Sequence, residues 1–300
     1  MSMARQSEPA SAEVAVDRLR EVDGGTVPRT SPVVIQPPTG WRLLDTRELW
    51  RYRELVYFLL WRELKVRYKQ TVIGGAWAVL QPLGTMVVFS LVFSSLLHVP
   101  SESVAYPVFS YVALLPWTFF SNAITRAANS LVQDPSLLSK VYFPRVALPL
   151  AVESVMLIDF AIAFVILIGL MAFYGLAPGL AVVSLPFFIL LACVTALGVG
   201  LWLSASNVKY RDINYVTPFV VQAWLFITPV AYPATLVPEA WRIVYALNPM
   251  VGVVEGFRWA LLGTPISAST IIASTGVALV LFGTGLLYFR RTEHAFADVI

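Results

Sequence analysis

The stretch Trp61–Gly84, "WRELKVRYKQTVIGGAWAVLQPLG", changes character partway along. Its opening, Trp61–Gln70, carries the cations Arg62, Lys65, Arg67 and Lys69 against the single acid Glu63. Beyond Lys69 no ionisable side chain occurs until His98. A basic segment that runs into an unbroken apolar one reads as a chain leaving an aqueous face and entering a bilayer. Trp61, Leu64 and Tyr68 fall at i, i+3 and i+7 on one helical face, with Arg62, Lys65 and Lys69 on the neighbouring stripe. That pattern predicts an amphipathic interface helix, its aromatic rings in the acyl boundary and its cations at lipid headgroups.

The composition agrees with a membrane protein. Of 300 residues, 58% are hydrophobic and only 13% charged, where soluble domains carry about a quarter charged residues. The net charge of +3 is then a matter of topology rather than of nucleic acid. The lone Cys193 excludes an intrachain disulfide and a cysteine-based metal site, and His98 and His294 lie far apart in sequence, so no metal site is expected. Residues 1–40 are rich in Pro, Ser, Gly and mixed charge and lack the apolar core of a signal peptide. They are expected to form a disordered tail, with a short helix possible around Ala12–Val22.

A helix needs about twenty apolar residues to cross a bilayer core. Candidate spans are Val72–Val99, Val104–Ala127, Val146–Tyr174, Gly179–Ser206, Ile213–Tyr232 and Ser269–Phe289. The less apolar stretch Pro238–Gly263 predicts short helices that enter the membrane without crossing it. Pro82, Pro116, Pro186, Pro218 and Pro229 lie within spans, where they are tolerated if neighbours satisfy the freed carbonyls. With this assignment, all Lys and Arg except Arg242 and Arg258 fall on one side. The positive-inside rule then makes both termini cytoplasmic, and an even number of spans agrees. The fold class expected is an all-α membrane protein of six transmembrane helices. An N-terminal amphipathic interface helix precedes them, and short re-entrant helices lie between spans five and six. The divisions expected are a cytoplasmic tail (1–40), the interface-helix region (41–70), a six-span membrane domain (71–291) and a cytoplasmic C-terminal tail (292–300).

The chemistry of catalysis is missing. No phosphate-binding loop, HExxH, GxSxG or CxxC occurs, so the chain is expected to be no enzyme and to bind no nucleotide. An ion-coupled carrier usually places ionisable groups within its spans. The mid-span candidates, Glu153 and Asp159, are six residues apart, about 600° of helix, and share no face. Glu255 and Arg258 are spaced to pair on one helix face. In "QDPSLLSKVYFPR" (Gln133–Arg145), Asp134 before Pro135 is a helix start, and a short helix Pro135–Lys140 would present Leu137 and Leu138 to a partner.

Four ordered segments carry a resemblance. They are "RYKQTVIGGAWAVLQPLGTMVVFSLVF" (Arg67–Phe93), "LLSKVYFPRVALPLA" (Leu137–Ala151), "YRDINYV" (Tyr210–Val216) and "TPVAYPATLVPEAWRIVYALNPMVGVVEGFR" (Thr228–Arg258). In this order and spacing, over about Trp41 to Arg291, the chain resembles the type-2 ABC transporter permeases that export O-antigen, teichoic acid and capsule-like polysaccharides.

The resemblance implies a permease subunit in the bacterial cytoplasmic membrane. It would form a homodimer, pair with two copies of a cytoplasmic ATPase and move a polysaccharide linked to undecaprenyl diphosphate. ATP and Mg²⁺ would be held by the ATPase, leaving this chain without a cofactor. The aromatics Trp77, Phe89, Phe93, Tyr215, Phe219 and Trp224 of spans one and five would line the path. Trp61, Arg62, Lys65, Tyr68 and Lys69 would meet membrane lipid or the lipid diphosphate. Asp134, Pro135, Leu137, Leu138, Lys140, Arg145, Lys209 and Arg211 would form the ATPase contacts, and Asn248, Pro249, Glu255 and Arg258 an exit gate. The competing readings are a drug or small-lipid exporter of the same superfamily and, from another class, an ion-coupled carrier. The aromatic-rich spans favour a polymer, and the lack of paired intramembrane charges disfavours the carrier.

Overall fold

The computed structural model describes residues 50–69, 76–101, 104–133, 143–293 and 296. The tail of residues 1–40 and the expected helix Pro135–Lys140 lie outside them. Among the described residues there is no strand. Helix α1 is Arg53–Lys69. Helix α2, Ala76–Phe89, continues as a π-helix over Ser90–Leu96. Then come α3 Tyr106–Asn129, α4 Ala147–Phe173 and, after a 3₁₀ turn at Leu180–Ser184, α5 Leu185–Lys209. The last four are α6 Ile213–Ile227, α7 Glu239–Ala246, α8 Pro249–Leu262 and α9 Ala268–Glu293.

Local chemistry sets several boundaries. Proline occupies the first turn of α3, α5 and α8, where its missing N–H costs no hydrogen bond. The Asn248 side chain caps α8 by accepting from the Met250 N–H at 3.1 Å. Gly263, at φ 73, closes α8 and returns its N–H to the Trp259 carbonyl, a left-handed cap that only glycine adopts without cost.

Among the described residues, five helices are long and apolar enough to cross a membrane: Ala76–Leu96, Tyr106–Asn129, Ala147–Phe173, Leu180–Lys209 and Ala268–Glu293. The expected fifth span, Ile213–Tyr232, is a shorter apolar helix that ends at Ile227. Its 15 residues extend about 22 Å, less than the roughly 30 Å of a hydrocarbon core. The cause is local: Thr228 precedes Pro229, whose ring disfavours helical geometry in the residue before it, and Thr228 is extended at ψ 141. Past it the chain stays buried through Thr228, Pro229 and Val230. Helix α8 is buried along most of its length and reaches Phe160, halfway along α4, through the ring of Phe257. It lies in the stretch Pro238–Gly263, where the sequence predicts short helices.

Helix α3 is the centre of the bundle, packed by α2, α4, α5, α6 and α8. Helices α5 and α9 approach backbone to backbone: a Cβ on Gly198 would lie 2.6 Å from the Phe282 nitrogen, and one on Gly285 2.3 Å from the Gly198 carbonyl. At the end of the bundle that carries Arg126, Arg145, Lys209 and Arg290, a second cluster gathers Leu59, Leu131, Phe143, Val146, Phe289 and Phe296. Helix α1 is anchored there by Leu59 and runs along α4, while Tyr57, Phe58, Trp61 and Val66 are exposed on its other sides. It therefore packs on the bundle as well as presenting an outer face.

Candidate functional site

Between Val108 and Asn129, the positions of α3 that are not buried are Thr118, Ser121, Asn122, Thr125, Arg126 and Asn129. All are polar, and they repeat at i, i+3, i+4, i+7, i+8 and i+11, so they form one stripe. A lipid-facing helix shows the reverse pattern; a polar stripe on a membrane-crossing helix faces water or a polar ligand. The side chains bond to their own helix: Ser121 Oγ donates to the Thr118 carbonyl at 3.1 Å, Thr125 Oγ1 to that of Ser121 at 2.7 Å, and Asn129 Nδ2 to that of Thr125 at 3.0 Å. Their oxygens keep acceptor capacity for another molecule. Thr118 and Asn122 open onto a small cleft between α2, α3 and α4, lined also by Ala78, Pro82, Phe119 and Asp159. This stripe was missed in reading the sequence, although its helical spacing within "TFFSNAITRAAN" was there to be seen.

The two helices named for their aromatics both pack against α3. On α2, Trp77 is exposed, while Phe89 and Phe93 meet edge to face with centroids 5.2 Å apart. On α6, Tyr215 and Phe219 are 83% and 75% exposed, one helical turn apart on the same face. Trp224 differs from them. It turns inward, donating its indole N–H to Asn248 Oδ1 at 2.9 Å and setting its ring edge-on to Phe120 at 5.0 Å.

Halfway along α4, beside Phe160, Asp159 accepts the Tyr68 hydroxyl and pairs with Arg67 of α1. Arg126 lies within electrostatic range of Asp159, Arg67 and Glu63. Burial first, and then the bond to Asp159, pushes the Tyr68 hydroxyl up to about 12. Arg62 pairs with Glu63 at 2.8 Å, Lys65 stands 5.4 Å from the Trp61 ring, and Lys69 is exposed. Lys209 lies over the Tyr210 ring at 5.1 Å and Arg211 is exposed. Arg145 is turned onto Glu293. Asp134, Pro135, Leu137, Leu138 and Lys140 lie outside the described residues. Glu153 and Asp159 have different neighbours, as their spacing predicts: Glu153 is buried within electrostatic range of Cys193, away from the Asp159 pairings.

At the opposite end, Asn248 joins three elements. Beyond capping α8, it accepts from Trp224 and donates to Thr228 Oγ1 at 3.0 Å. Pro249 is buried in the first turn of α8. Arg258, 1% exposed, pairs with Glu255 at 3.0 Å and donates to the carbonyls of Val230 at 3.0 Å and Tyr232 at 3.2 Å. The Tyr106 hydroxyl takes the carbonyl between them, Ala231, at 2.6 Å. The irregular segment after α6 thus has its buried carbonyls satisfied by side chains, the condition for non-helical backbone at membrane depth. Arg258 does more than neutralise Glu255. Among the described residues no group of three or more His, Cys, Asp or Glu could hold a metal ion.

The sequence is similar to those of known proteins. The chain is 31% identical over 259 residues to the O-antigen export system permease protein RfbA of Myxococcus xanthus, covering 85% of this chain and 98% of the relative. It is 23% identical over 248 residues to RfbA of Klebsiella pneumoniae, covering 82% and 95% of the two chains. It is 22% identical over 245 residues to the polysialic acid transport protein KpsM of Escherichia coli, covering 79% and 93%. The family described as ABC-2 type transporter matches residues 54–262, more than two thirds of the chain. With its membrane-crossing helices and this match, the chain is an integral membrane protein and belongs to the ABC-2 type transporter family.

Proposed function

We propose that this chain is the membrane-spanning permease subunit of an ATP-binding cassette exporter whose cargo is a polysaccharide. The observations that carry the reading are the polar stripe of α3, which opens onto the cleft beside α2 and α4, and the exposed aromatic rings of two helices packed on α3, Trp77 on α2 and Tyr215 and Phe219 on α6. A pyranose has apolar C–H faces and a polar rim. Rings receive the faces, as they do the bases of a sliding nucleic-acid strand, and the hydroxyl and amide side chains receive the rim through exchangeable hydrogen bonds. The relatives named for O-antigen export and polysialic acid transport support a polymer rather than a drug.

In this reading residues 71–291 cross the bacterial cytoplasmic membrane six times, α6 and the buried segment after it making the fifth crossing, with both termini and residues 1–70 cytoplasmic. A second copy closes the path by facing α2 and α6. Two ATPase subunits bind ATP and Mg²⁺ and engage the loop containing Asp134–Arg145 together with Lys209 and Arg211. Arg62, Lys65 and Lys69 receive the diphosphate of a lipid-linked chain, and the Asn248–Arg258 network forms the exit.

Depletion of the protein, followed by analysis of lipid-linked glycans, tests the function. Finished polymer should accumulate on its carrier inside the cell while surface glycan falls. Normal surface glycan without accumulation would reject the reading.

A further inference from the structure

The end of α9 is tied to the start of α4. Glu293 and Arg145 cap each other's helices. The Arg145 N–H, just ahead of α4, donates to Glu293 Oε1 at 3.2 Å, and the Arg145 guanidinium donates to the Glu293 carbonyl at the close of α9. Each charge sits at the helix end whose dipole favours it. Arg290 approaches the second carboxylate oxygen at 3.5 Å. Phe296 belongs to the apolar cluster at this end of the bundle. Its side chain is fully buried, edge-on to Phe289 at 5.5 Å, with the Arg145 guanidinium 5.7 Å from its ring centroid. The cluster that holds it contains Leu59 of α1, Leu131 at the start of the loop between α3 and α4, and Phe143 and Val146 at the loop's end. One ring therefore belongs to a packed unit joining α1, both flanks of that loop and the end of α9.

We infer that Glu293 and Phe296 are positioning residues. They lock the flanks of the 131–146 loop to α1 and α9, so that a displacement applied to the loop moves α1 and α9 together. The inference rests on the proposed reading of that loop as the ATPase contact. Packed interiors pass on displacement because they are dense and have few alternative arrangements; a loop without this anchor would absorb the stroke locally. In this role Arg145 serves the ATPase contact through Glu293, from behind the loop.

The test uses the full chain produced with its ATPase partner in the native host. Two quantities are read: ATPase co-purified, and surface polymer exported per ATP hydrolysed. Phe296→Ala should retain the ATPase and its hydrolysis rate while export per ATP falls about fivefold. Phe296→Leu, which refills most of the space, should restore most of that loss, and Glu293→Gln should share it in part. An unchanged ratio in Phe296→Ala overturns the inference, as does a loss of export only in proportion to a loss of protein. Should Phe296→Ala fail to accumulate, the ratio in Phe296→Leu and Glu293→Gln decides: a fall supports the lock and wild-type values reject it. The loop reading is tested separately by Leu137→Ala and Leu138→Ala. If co-purification survives these while Phe296→Ala still lowers the ratio, the loop reading fails and the lock stands.

Discussion

The guanidinium of Arg258 lies 3.7 Å from the centroid of the Phe109 ring, joining α8 to the first turns of α3. It also holds Glu255 and the carbonyls of Val230 and Tyr232. Arg258→Ala would leave a partly buried carboxylate and two carbonyls without these donors, a loss of about 3 kcal/mol. Arg258→Lys should recover part of it, since an ammonium keeps the charge but cannot reproduce the planar stacking and forked donation. Thermal unfolding in detergent measures the series; equal melting of wild type and Arg258→Ala would contradict it.

The aromatics of α6 should separate into two kinds. Tyr215 and Phe219 are exposed, so alanine at either should change stability by less than about 0.5 kcal/mol while lowering polymer export. Trp224 is packed and bonded to Asn248. Trp224→Phe should cost about 1 kcal/mol through the lost N–H bond, and Trp224→Ala about 3–5 kcal/mol. Export assayed beside melting separates the two kinds, and normal export in both Tyr215→Ala and Phe219→Ala would remove those residues from the path.

For the α3 stripe, Thr125→Val preserves shape and removes only the hydroxyl, and Asn122→Leu removes an amide. If the stripe faced lipid, both changes would be neutral or stabilising. As part of a wetted polymer path, each should lower export severalfold with melting unchanged. Wild-type export in both variants would leave the stripe without a role in transport.

Gly285→Ala should prevent the α5–α9 approach, because its methyl would meet the Gly198 carbonyl at 2.3 Å, and backbone has no room to yield. Gly283→Ala on the same helix meets nothing within 4 Å and should match or slightly exceed wild-type stability. Membrane accumulation and melting of the pair supply the comparison. Equal behaviour of the two variants would mean the helices are not packed this way.

Tyr68 predicts a pH dependence. Its hydroxyl is raised from an ordinary value of 10.0 to about 12, so the protonated phenol is favoured in the folded chain. Its contribution is therefore fully present below pH 10 and is lost as pH climbs towards 12. The melting difference between wild type and Tyr68→Phe should stay constant from about pH 6 to 9 and shrink above about 10. A difference that widens with rising pH would show that the phenol ionises more easily in the folded state, contrary to its position beside Asp159.

Much of the fold was legible because it depends on local composition. Apolar length located Ala76–Leu96, Tyr106–Asn129, Ala147–Phe173, Leu180–Lys209 and Ala268–Glu293 within a few residues. The i, i+3 spacing of Glu255 and Arg258 correctly predicted their ion pair. The early end of α6 is less visible in the sequence: whether Pro229 kinks the helix or stops it depends on what can satisfy the carbonyls of the irregular chain that follows. Here those partners are Arg258 and Tyr106, far away in sequence.

By itself, then, the sequence determined a helical membrane protein with its cations gathered on one side, because bilayer burial and surface charge depend on which residues are present and in what order. Only the tertiary structure decided which side chains work together. It turned Trp224 inward to Asn248 while leaving Tyr215 and Phe219 exposed, set Asp159 against Arg67 and Tyr68, and drew Phe296 under Leu59 and Phe143. In each case the deciding factor is which face of a helix meets a neighbour. The stretch that opens with Trp61 carries that distinction within itself: its change from basic to apolar is written in the chain, whereas the partner Arg67 finds on α4 is a product of packing.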